Sequence, residues 1–101
     1  MATTPETRRR ADLWLRTTAL ILGDLPEVAE EWESLDDGER VSWSMDWGNE
    51  MGGLELLARD ADAGLLTPEQ QQRFQELVRR LQAALPLMQR LDLAYPSFLL
   101  G

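Results

Sequence analysis

Carboxylates are the groups in this chain with the best claim to chemistry, because most other reactive side chains are missing. The sequence holds no cysteine, no histidine and no lysine. Disulfides, zinc–thiolate sites, iron–sulfur clusters and cysteine nucleophiles are thereby excluded. So are the commonest general base and transition-metal ligand, and Schiff-base chemistry at a lysine. No serine has a histidine or lysine to activate it, and no Gly-rich phosphate loop occurs. What remains is 18 acids against 10 arginines, for a net charge of −8.

Asp46 and Glu50 stand one helical turn apart, and Glu27, Glu30 and Glu31 lie on the segment before them. If they faced inward, Glu27, Glu30, Asp46 and Glu50 would bind a hard cation such as magnesium or manganese through oxygen ligands. A carboxylate-only, metal-dependent helical hydrolase is therefore one alternative. The di-iron Glu-x-x-His pattern is ruled out by the missing histidine. All-helical pyrophosphohydrolases use Glu-x-x-Glu on one helix and Glu-x-x-Asp on the next. Glu27-Val28-Ala29-Glu30 has the first spacing. The one Glu-x-x-Asp, Glu33 to Asp36, comes too soon and runs off the same short helix. A solvated acidic face is the better reading, so no catalytic residue, metal or cofactor is assigned.

The charge is unevenly spread. Residues 1–23 carry +2, residues 24–62 carry −11 and residues 63–101 carry +1. An acidic middle repels phosphates, which argues against nucleic acid on that surface. Arg8, Arg9 and Arg10 could bind an acidic patch, RNA or a lipid surface, but three such arginines are more often solvated or paired with nearby glutamates. There is no helix-turn-helix pattern and no interleaving of aromatic and basic residues. The same arginines followed by Leu13–Leu22 imitate a leader, yet Asp12 and Arg16 interrupt it and no small-residue cleavage site follows. No apolar run approaches the ~20 residues of a membrane span. The expectation is a cytoplasmic chain without membrane or nucleic-acid partners.

The elements that must position these groups are helical. No stretch alternates convincingly with period two, so the chain reads as all-α. One domain is expected, with helices over about 5–22, 25–35, 37–63 and 68–91 and an apolar tail over 92–101. Thr4 caps the first helix ahead of Pro5, and Gly23 is its natural stop. Asp24-Leu25-Pro26-Glu27 and Asp36-Asp37-Gly38-Glu39 both have capping-box spacing. Thr67-Pro68-Glu69-Gln70 is the clearest start signal. Short connections favour a four-helix bundle, its last helix kinked or split at Pro86, with dimerisation as a way to complete it.

The long central helix carries two apolar faces. Trp43, Trp47, Met51, Leu54, Ala58 and Ala61 form one, and Val41, Met45, Gly48, Gly52 and Leu56 form another nearly opposite. A helix with two apolar sides needs cover on both. Gly48 and Gly52 are a small-xxx-small pair that permits a close helix crossing. Trp43, Trp47 and Met51 could also line a pocket for an apolar ligand, although core packing explains them more simply. The leading expectation is a non-catalytic protein–protein interaction module, acting as a homodimer or on a partner with a basic surface. Trp43, Trp47, Gly48, Met51, Gly52, Tyr95, Phe98 and Leu99 are its candidate contact residues.

Overall fold

The computed structural model describes residues 4–100. Gly101, at the end of the expected tail, lies outside the described residues. Three α-helices account for most of the chain: α1 (Pro5–Glu31), α2 (Asp37–Asp62) and α3 (Pro68–Arg90). Two 3₁₀ turns, Trp32–Ser34 and Ser97–Leu100, follow α1 and close the tail. The all-helical class holds, and among the described residues there is no strand. The four-helix bundle does not, because three helices form where four were expected.

The difference lies at Gly23 and Pro26. The segments expected over 5–22 and 25–35 are one helix, uninterrupted at Gly23, and the cap at Asp24 does not form. Leu15, Thr18, Leu22, Leu25 and Ala29 are all buried along α1. Their spacing of three and four carries a single stripe in phase through both supposed breakers. Burial of that stripe outweighs a glycine and a proline that each sit on the exposed side. Pro26 still costs α1 the hydrogen bond to the Leu22 carbonyl, since it has no N–H to donate. Pro86 likewise stands inside α3, which runs to Arg90 without being split.

The three helix starts are capped as expected. Thr4 accepts a hydrogen bond from the Thr7 N–H, and Asp36 and Thr67 each complete a capping box, with Glu39 and Gln70. Such caps are each worth about 1 kcal/mol. Gly64 ends α2 with φ 73. The Leu65 N–H reaches the Asp60 carbonyl at 2.9 Å and the Gly64 N–H reaches Ala61 at 3.1 Å, so the last turn is closed by backbone alone. Asp92, at φ 57, does the same for α3.

α1 is the central element and packs against both α2 and α3. Gln70 ties α3 to α1: its side-chain N–H₂ donates to the Arg8 carbonyl at 3.0 Å and to Asp12 Oδ1 at 2.9 Å. The tail covers the side between α2 and α3. Leu93, Pro96 and Leu99 are buried, and Trp47 Nε1 donates to the Ala94 carbonyl at 2.7 Å. One continuous core results, running from Ala11 and Leu15 through Trp47, Leu54 and Leu57 to Leu81, Met88 and Leu99. Folding the tail inward accounts for apolar residues that a fourth helix would otherwise have covered.

Candidate protein-protein interface

α2 presents two faces of opposite fate. Its inner face buries Trp47, Met51, Leu54 and Leu57. Trp43 stacks on Trp47 at 5.5 Å between ring centroids, with 17° between the planes, and meets Trp32 edge-on at 6.5 Å. Trp14 of α1 packs against Gly53 of α2, where an added Cβ would run into its ring. The three glycines therefore separate by role. Gly53 makes room for a ring, while a Cβ placed on Gly48 or Gly52 would meet nothing within 4 Å.

The outer face is uncovered. Val41 is 58% exposed, Met45 64% and Leu56 47%, with Gly52 exposed between them. The second face read from the sequence is thus present, and none of the described residues covers Val41, Met45 or Leu56. The outer face continues at one end to Asp37, whose carboxylate is fully exposed, and at the other to the exposed Arg59.

The expected contact residues divide accordingly. Gly48 and Gly52 lie on the outer face. Trp47, Met51 and Leu99 do not reach it: they are core residues, 0%, 3% and 4% exposed. A partner cannot touch them without unfolding the chain. The physical reason is that the tail and the inner face of α2 satisfy each other. Trp43 and Tyr95 are half-buried and pack on the core. Phe98 is exposed and lines a shallow groove with Ala58 from α2 and Phe74 and Val78 from α3. Val41, Met45 and Leu56 belong with the contact candidates, and their clustering within about 40° of Gly52 on a helical wheel of ~100° per residue is the sequence signal for it.

The carboxylates do not gather. Glu27, Glu30 and Asp46 are exposed, while Glu50 is half-buried and turned toward α1. There its Oε2 accepts hydrogen bonds from Thr17 Oγ1 at 2.9 Å and from Thr18 Oγ1 at 3.1 Å. Glu50 thus serves as the acceptor for a fully buried threonine hydroxyl, a role the sequence reading did not assign. Among the described residues no three acidic side chains stand together so as to hold a metal ion. Trp43 borders an open cleft of about 540 Å³ with Val28 and Leu35 as its apolar floor and Glu31, Asp36, Glu39 and Asp46 around it. Trp47 and Met51 do not join Trp43 in lining that cleft.

The ion pairs are few and peripheral. Arg10 binds Asp60 at 2.7 Å, joining the ends of α1 and α2. Arg40 is used differently: its guanidinium donates to the carbonyls of Trp32 and Glu33 at 2.8 and 3.1 Å, which pins the turn before α2. Among the described residues no helix is long and apolar enough to cross a membrane. Comparison with protein-family models, curated proteins and solved structures returns no match.

Proposed function

We propose that this chain is a non-catalytic protein–protein interaction module that pairs with a second copy of itself through the outer face of α2. The observation that carries the reading is the set Val41, Met45 and Leu56, exposed around two glycines at which an added Cβ would meet nothing within 4 Å. A helical glycine costs about 1 kcal/mol against alanine. Gly48 and Gly52 return nothing for that in the monomer, whereas a helix laid across them gains close backbone approach. The face from Val41 to Arg59 extends about 27 Å at 1.5 Å per residue. A stable contact needs roughly 800 Å² from each copy, which a pair of helices of that length approaches with their flanks.

The helix dipoles favour an antiparallel arrangement. Antiparallel packing sets opposite helix dipoles side by side, and a two-fold axis near Gly48–Gly52 repeats each contact twice. The proposal places the chain in the cytoplasm and gives it protein partners, since its acidic middle repels phosphates. Light scattering tests it: the wild type should be a dimer, and Met45→Glu a folded monomer with an unchanged helical circular dichroism spectrum. A wild type that stays monomeric at high concentration overturns it.

A second reading, a partner with a basic surface, is favoured by the Trp43 cleft, where four carboxylates surround an apolar floor and no arginine lines the wall. An arginine-rich peptide should then bind in a salt-sensitive way, and Glu39→Gln with Asp46→Asn should weaken it. Binding indifferent to both removes this reading.

A further inference from the structure

We propose that the open seam between α1 and α3 is a docking site for an acidic amphipathic helix supplied by a partner protein. At its centre is a groove of about 400 Å³ floored by Leu15, Ala19 and Leu77, with Leu20 standing 65% exposed beside it. Arg16, Arg73 and Arg80 rim this groove, with Glu76 as the one carboxylate among them. In a chain of net charge −8 this is a local reversal of sign.

The groove is longer than its centre. Toward the start of α3 it continues into a cleft that shares Arg73 and reaches Arg8, Asp12, Glu69 and Gln70, where the charges balance, so the excess of positive charge lies at the centre of the seam. Toward the end of α3 it continues into one that shares Arg80 and runs along Leu22, Pro26 and Leu87. From Glu69 to Leu87 the seam measures about 27 Å, or five turns of helix at 1.5 Å per residue. The tail occupies the side between α2 and α3, where Phe98 meets residues of both. The α1–α3 seam is the place left for a fourth helix.

The chemistry of the rim selects the occupant. Arg73 reaches Asp12 at 3.4 Å, and among the described residues Arg16 and Arg80 make no ion pair. Like charges facing one another across an apolar floor add nothing to the stability of the free chain, whereas carboxylates on both flanks of a docked helix would neutralise them. Guanidinium suits that task, because it is weakly hydrated and binds carboxylates bidentately at interfaces. The shape selects a helix over a small amphiphile: small-ligand pockets enclose most of their ligand, while this groove is open along its length and fits helix-in-groove recognition. The site uses no residue of the α2 outer face and stands independently of self-association.

The test uses a labelled peptide of about 18 residues, matching the groove at 1.5 Å per residue, with leucines at i, i+3, i+4 and i+7 and glutamates on both flanks. Fluorescence anisotropy should show saturable binding to the full chain. A peptide with glutamine for glutamate should bind about tenfold more weakly, and the double variant Arg16→Glu, Arg80→Glu should lose about as much. Arg16→Gln with Arg80→Gln should fall between wild type and the reversal, and serves if the reversal does not fold. Met45→Glu should bind the peptide like the wild type, which separates this site from the dimer. Three results would overturn the proposal: no saturable binding, equal affinity for glutamate, glutamine and lysine peptides, or a drop in molar mass on changing Arg16 and Arg80. The last would assign the groove to a second copy of the chain.

Discussion

Two adjacent glycines make the sharpest quantitative prediction, because the same substitution at each should move stability in opposite directions. Gly52 and Gly53 are consecutive in α2, so alanine gains about 1 kcal/mol of helix propensity at either position. At Gly52 the new Cβ meets nothing within 4 Å. At Gly53 it falls 2.5 Å from Cδ2 and Cζ3 of Trp14, where an ordinary contact is about 3.5–4.0 Å. The indole has to retreat by about 1 Å, a distance given by that shortfall against normal contact, and it is held between α1 and α2. Overpacking of this kind costs about 1–3 kcal/mol. Propensity cancels between the two variants, so the gap between them reports the clash itself. Gly52→Ala should melt about 4–8 °C above its parent, as expected of 1 kcal/mol in a domain of this size. Gly53→Ala should melt at or below its parent. Both are measured in the Met45→Glu background, where self-association does not contribute, by thermal and urea unfolding followed through tryptophan fluorescence. Equal stabilisation by the two alanines would refute the packing of Trp14 on Gly53, and with it the described α1–α2 contact.

Three further outcomes follow from the same structure. Glu50→Ala leaves the hydroxyl of fully buried Thr18 without its acceptor and should cost about 1–3 kcal/mol in urea unfolding; millimolar magnesium or manganese should leave the melting temperature of the wild type unchanged, and a rise abolished by Glu50→Ala would point to a metal site. Trp47→Phe removes the donor to the Ala94 carbonyl and should cost about 1–2 kcal/mol, with faster amide exchange over Leu93–Leu99 seen by mass spectrometry. Pro26→Ala restores a missing hydrogen bond within a continuous helix and should stabilise the protein by about 1–3 kcal/mol in the same unfolding assay; no gain would mean that α1 is broken there.

Much of this fold is legible in the sequence, for reasons that are local. Thr4, Asp36 and Thr67 are capping residues whose side chains satisfy amides within the next few positions, so three residues of context suffice to read each one. Gly23 and Pro26 are misread by the same local logic. Their effect is decided by whether the stripe Leu15–Leu22–Leu25–Ala29 stays buried, and that depends on α2 and α3, far away in sequence. The tail is a similar case: its apolar residues announce burial, but its seat against Trp47 is a contact over 47 positions. The two faces of α2 were visible from periodicity alone. Which one the protein itself would cover was not, because Val41 and Met45 are no less apolar than their counterparts inside. The basic groove is not legible in the sequence because Arg16 belongs to one helix and Arg73 and Arg80 to another, and each set taken separately is an ordinary polar face.

Self-association through the outer face of α2 stands or falls on the molar mass in solution. Light scattering of the wild type and of Met45→Glu, each at low and high salt, asks whether the uncovered face of α2 is where two copies meet. The wild type should show twice the 11.5 kDa of one chain, largely retained at high salt because the contact is apolar at its centre, and Met45→Glu a single chain. A wild type of 11.5 kDa at every concentration, or a dimer that Met45→Glu leaves intact, would contradict it.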